Sequence, residues 1–86
     1  MSHSFVFPDG TEISYPRWAV YISVDGDGDV IAWGKKPSWN EVYSQWYTRF
    51  TSRQFLYSFE KEIPNSEELL YQVSVAQHER KRNVKE

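Results

Sequence analysis

The chain has 86 residues, a formal net charge of -2 and no cysteine, and 17 % of it is aromatic. This length is one small domain, and the missing cysteines exclude disulfides and thiolate metal sites together, so the core must draw on Trp, Tyr and Phe. The sequence pI of 5.7 lies far from the basic range of a dedicated nucleic-acid binder, and -2 is too small for whole-surface mimicry of nucleic acid by carboxylates.

The N-terminus, MSHSFVFPDG, lacks the basic segment and apolar run of a signal peptide, and no apolar stretch approaches the roughly 20 residues of a membrane helix. The expectation is a soluble cytoplasmic protein without membrane contact. Pro8-Asp9-Gly10 separates Phe5 and Phe7 from Ile13 and Tyr15. Pro presets φ, Asp bonds its own backbone and Gly takes the left-handed position, which predicts a first hairpin. Pro16 interrupts the ladder, and a second hairpin is predicted from about Trp18 to Gly34.

At its tip, SVDGDGDVIAW spaces Asp25, Asp27 and Asp29 as a calcium loop would, but position 6 is Val30 and position 12 is Lys36. The sharp bend and the closing bidentate ligand are both missing. Val20, Ile22 and Val24 before the aspartates, and Val30 and Ala32 after them, alternate with period two, so the stretch reads as a hairpin turn and not as a metal site. Setting Val24 opposite Val30 places Ile22 opposite Ala32 and Tyr21 opposite Trp33. That register collects Trp18, Val20, Ile22, Val24, Val30 and Ala32 on a core face.

From Lys35 the period changes. Trp39, Val42, Tyr43, Trp46 and Phe50 line one helical face, and Ser38 with Glu41 has capping-box spacing, which predicts a short helix against the poor helix propensity of Val, Tyr, Trp and Thr. RQFLYSFEKEI returns to period two, with Phe55, Tyr57, Phe59 and Ile63 on one side, and reads as a half-buried strand. After Pro64, cap residues and acids lead into Leu69, Leu70, Val73 and Ala76 and then into bases, as a C-terminal helix would have it. The competing reading is a strand, LLYQVSV, followed by a tail. Together these elements predict a small single α+β domain of antiparallel β-hairpins with one or two helices, over residues 1–76. Residues 77–86 then form a charged helix end or flexible tail. Residues 1–34 carry acids and a single base, Arg17, whereas QHERKRNVKE at the C-terminus is mainly basic.

Catalytic patterns are poorly represented. His3 and His78 have no Ser, Cys or Asp arrangement typical of a nucleophilic site, and Glu60 and Glu62 share a predicted strand face with no apolar cleft to raise one of their pKa values. There is no phosphate loop, dinucleotide fingerprint or zinc spacing, so no cofactor and no enzymatic activity are expected. Aromatics and bases close in sequence, Trp46, Tyr47, Arg49 and Arg53 with Arg80, Lys81 and Arg82 of the tail, are the ingredients of a nucleic-acid or nucleotide site. Set against this, a cysteine-free chain of this size needs its large rings inside. Two acidic groups, Asp25, Asp27, Asp29 and Glu60, Glu62, Glu67, Glu68, offer a local patch for a basic partner.

The run PRWAVYISVDGDGDVIAWGKKPSW, Pro16 to Trp39, resembles a pattern of small bacteriophage-encoded accessory proteins: an aromatic before a strand ending Val-Asp, a Gly-Asp turn, an answering strand with an aromatic, then Pro. FLYSFEKEIPNSEELLYQV is similar to the strand and acidic, leucine-containing segment that tends to follow. The resemblance covers about half the chain and rests on structural motifs. It implies a protein that binds and inhibits or redirects a host protein or complex, anti-defence action against CRISPR or restriction systems included, and it carries over no functional residue. From the residues themselves, the expected contacts are Asp25, Asp27 and Asp29 at a projecting tip, with Trp33 or Trp39 as anchor. The alternative is the nucleic-acid module.

Overall fold

The computed structural model describes residues 3–73. Over this span the chain is built of antiparallel strands, with one 3-10 turn, Ser66–Glu68, and no α-helix. The α+β expectation is therefore corrected to an all-β fold.

The first hairpin pairs β1 (His3–Val6) with β2 (Glu12–Tyr15), Phe5 opposite Ile13. The second pairs β3 (Tyr21–Val24) with β4 (Asp29–Trp33) in the register read from the sequence, Tyr21 to Trp33, Ile22 to Ala32 and Val24 to Val30. The two turns share one design. Gly10 N–H donates to Phe7 O and Phe7 N–H to Thr11 O, and Gly28 N–H donates to Asp25 O and Asp25 N–H to Asp29 O, all at 2.8–2.9 Å. In each, the aspartate before the glycine accepts the N–H two residues on, Thr11 to Asp9 at 2.9 Å and Asp29 to Asp27 at 3.3 Å. The glycines sit at φ +94° and +91°, the left-handed position that closes such a three-residue loop.

Residues 38–50 do not form the expected helix. They make a third hairpin, β5 (Ser38–Asn40) against β6 (Gln45–Tyr47), with Trp39 opposite Trp46 and their rings edge to face at 5.4 Å. Cross-strand pairing of two indoles outweighs a helical stripe whose other members, Val42, Tyr43 and Phe50, stay exposed. The turn is written locally: Asn40 Oδ1 accepts the N–H groups of Val42 (2.9 Å) and Tyr43 (3.2 Å), and Ser44 takes a left-handed φ of 53°.

β7 (Arg53–Ser58) and β8 (Leu70–Gln72) complete a four-stranded sheet of order β7-β4-β3-β8. β7 ends before Glu60 and Glu62, and a bulge opposite the Val30–Ile31 step leaves Leu56 unpaired. The bulge breaks the alternation expected of this strand: Leu56 packs inward, while Phe55 and Tyr57 are exposed. In place of the predicted C-terminal helix, the described part of that segment is the 3-10 turn and then β8. The competing strand reading is the one the fold adopts there, over three residues. The expected tail, 77–86, with Arg80, Lys81 and Arg82, lies outside the described residues.

The sheet is covered on both faces. On one, Ile22, Val24, Val30 and Ala32 meet Phe7, Ile13 and Tyr15 of the first hairpin, as the register requires. Trp18, expected on this face, lies in the loop before β3 and is exposed. On the other face Ile31 and Trp33 pack with Trp46, Tyr21, Trp39 and Leu70 under the third hairpin. A central strand pair that is apolar on both sides is what such double coverage demands. Trp33 is 1 % exposed, and its Nε1–H donates to the buried Ser23 Oγ at 2.8 Å, so the one polar atom of the ring is satisfied.

Candidate functional site

Strand direction sorts the charges. The β3–β4 turn, the β1–β2 turn, the tip of the third hairpin and residues 59–68 gather at one end of the molecule, tied by Gly26 N–H to Ser44 O, Phe59 N–H to Gly28 O, Ile63 N–H to Gly26 O and Val24 N–H to Leu69 O. Every carboxylate from Asp9 to Glu68 belongs to that end. Arg17, Lys35, Lys36, Arg49 and Arg53 lie at the other, where β4 closes with Trp33 opposite Arg53. Lys61 is the exception among the described cations.

At the acidic end a cleft of about 470 Å³ opens between the third hairpin and the β3–β4 turn. Trp39, Glu41, Tyr43 and Ser44 form one wall, Gly26 and Asp27 the floor, and the segment from Glu62 to Glu67 the other wall. Asp27, Glu41, Glu62 and Glu67 contribute carboxylates, Trp39 and Tyr43 contribute rings, and none of the described Lys, Arg or His residues lines it. Two hydrogen bonds hold the walls: Trp46 N–H donates to Asp25 Oδ1 at 2.9 Å and Trp46 Nε1–H to Ser66 O at 3.1 Å. The buried Trp39 Nε1–H has no acceptor in the protein.

Of the residues singled out in the sequence, Asp27 and Trp39 meet in this cleft. Asp25 and Trp33 do not present themselves to a partner. Asp25 is 8 % exposed and its carboxylate is committed to the Trp46 amide, while Trp33 is enclosed beneath the third hairpin. Burial pushes the Asp25 carboxyl up to about 6, with Asp27 and Asp29 adding to the rise and the Trp46 N–H and the Arg53 charge opposing it. Asp29 is half-buried beside the turn and outside the cleft. Of the aromatic-basic set, Trp46 is buried, whereas Tyr47, Arg49 and Arg53 are exposed at the opposite end. The sequence pattern places Glu41 and Tyr43 in a helix and so does not mark them as cleft residues; the Asn40 turn is the nearby signal.

No helix among the described residues is long and apolar enough to cross a membrane. No family model matches the chain, and no curated protein or solved structure is significantly similar to it.

Proposed function

We propose that the chain is a non-enzymatic binding module whose acidic cleft receives a basic segment of a partner protein. The observation that carries this reading is the cleft's composition: carboxylates from three separate segments converge around two rings, with no cation among the described residues there. Such a site attracts Lys or Arg by summed field, and the indole and phenol rings add cation–π contact. The resemblance to phage accessory proteins would make the partner a host protein or complex, bound so as to inhibit or redirect it, within an infected bacterial cytoplasm. Asp27 and Trp39 remain the sequence-selected contacts, joined by Glu41, Tyr43, Glu62 and Glu67.

The test is a fluorescence titration with a short arginine-rich peptide, comparing wild type with a Glu41→Gln, Glu62→Gln, Glu67→Gln variant. Loss of three exposed charges weakens binding at least about threefold at low salt, since each such pair is worth about 0.2–1 kcal/mol. Equal affinity of the two proteins rejects the cleft. Matched pull-downs of the same pair from nuclease-treated bacterial lysate then identify the partner as the protein retained only by wild type.

A further inference from the structure

We propose that the end of the molecule opposite the cleft binds single-stranded nucleic acid, at a surface built around the Trp33–Gly34 corner. The backbone brings four segments to that corner. Val20 N–H donates to Trp33 O at 2.8 Å, which holds the Arg17-Trp18 loop there, and Gly34 N–H donates to Ser52 O at 2.9 Å, which sets Lys35 and Lys36 beside the turn carrying Arg49 and Phe50. Arg53 pairs with Trp33 across the strands and lays its guanidinium over the indole, 5.3 Å from the ring centre, and Tyr47 meets the same indole edge to face at 6.5 Å. Of these cations only Arg53, whose charge reaches the Asp25 carboxylate beneath the third hairpin, acts on a shifted carboxylate, and none of the described carboxylates belongs to this end.

Rings and cations alternate here. Trp18 follows Arg17, Tyr47 and Phe50 flank Arg49, and Phe55 shares the sheet face with Ile31 two residues beyond Arg53. These rings are exposed against the demands of a small core: Trp18 by 40 %, Tyr47 by 49 %, Phe55 by 57 % and Phe50 by 91 %. Phe50 also holds a left-handed φ of 55°, a costly conformation for a ring-bearing residue that gains no burial from it. Cations spaced between bare ring faces fit a ligand that alternates phosphate with unstacked base. An acidic polypeptide would meet the cations and leave the rings idle, and a duplex hides its base faces. The proposal stands apart from the cleft reading, since it uses none of the cleft's residues.

The test uses the full chain and a fluorescein-labelled oligo-deoxythymidylate of about 15 nucleotides, within the usual footprint of such surfaces. Affinity is read by anisotropy between 50 and 200 mM NaCl, a range chosen because about this span resolves counterion release. A Lys35→Ser, Lys36→Ser, Arg49→Ser variant keeps every cation beyond residue 73, so its difference from wild type reports this end alone. Three lost phosphate contacts lower the slope of log K against log salt by about 2. Phe50→Ser, at an exposed turn position that leaves the sheet intact, weakens binding about fivefold or more through lost stacking, with the salt slope unchanged. An unchanged slope in the charge variant overturns the proposal, as does equal binding of a duplex of the same length or of poly-glutamate. Concentration-dependent self-association that the oligonucleotide does not reverse assigns the surface to a second copy of the chain and overturns it too.

Discussion

Asp25 separates two effects that a buried carboxylate combines. Its Oδ1 accepts the Trp46 N–H at 2.9 Å, which joins the third hairpin to the sheet, and it carries charge into a site only 8 % exposed. The carboxyl is pushed from 3.8 up to about 6, chiefly by burial. Folding thus takes up a proton between those values. The stability that the neutral form contributes is fully present below 3.8 and is lost as pH rises through about 6. At about 1.4 kcal/mol per pH unit the rise corresponds to about 3 kcal/mol, and the water that still reaches this turn screens it to about 1–2 kcal/mol. Asp25→Asn keeps an oxygen acceptor and removes the charge. It should match wild type near pH 4 and exceed its stability by about 1–2 kcal/mol at pH 8. Asp25→Ala removes the acceptor as well and leaves the Trp46 amide unpaired, so it should lie about 1–3 kcal/mol below the asparagine variant at both pH values. Urea titrations followed by tryptophan fluorescence give the three stabilities. A difference between wild type and Asp25→Asn that does not change with pH would refute the buried-charge reasoning, and equal stability of the Asn and Ala variants would refute the hydrogen bond.

Other consequences of the fold are open to the same assay. Gly28→Ala should destabilise by more than about 1 kcal/mol, because φ is +91° and a Cβ would meet Lys61 O at 2.5 Å; a neutral change would mean the turn differs from the one described. Ser23→Ala leaves the Trp33 indole N–H unpaired in a dry face and should cost about 1–3 kcal/mol, whereas the same change in Trp33→Phe should cost far less; equal costs would deny the hydrogen bond between them. Trp33→Ala should cost about 3–5 kcal/mol, a large share of what so small a domain has, and near-native stability would show that the indole is not enclosed.

The two β-hairpins nearest the N-terminus were legible because their signals are local. Pro-Asp-Gly and Gly-Asp-Gly state a turn and a left-handed residue within five positions, and period-two alternation then sets the register of β3 on β4 with no help from elsewhere. Residues 38–50 misled for a local reason too. A spacing of seven between Trp39 and Trp46 fits two turns of helix, and it equally fits two strands joined by a short loop, in which the indoles face each other. What decides between them is the apolar second face of the β3–β4 hairpin, Ile31 and Trp33, which needs a cover, and that need is visible only once the sheet exists.

The candidate sites follow the same division. Sequence alone determined which residue types were at hand: an acid-rich turn, surplus carboxylates, rings beside cations and no cysteine. Along the chain it suggested an acidic front and a basic tail. Antiparallel folding rearranges this, because each reversal returns the strands' far ends to one corner and their turns to the other. Carboxylates from the tip of β3–β4, the third hairpin and the segment after β7 therefore share a cleft, while Arg17, Lys35, Lys36, Arg49 and Arg53 collect at the opposite end. Burial likewise divides residues that look equivalent in sequence. Asp25 and Trp33 are drawn inside as partners of Trp46 and Ser23, and Asp27 and Trp39 are left at the surface, because only the tertiary structure specifies which polar groups find an internal partner.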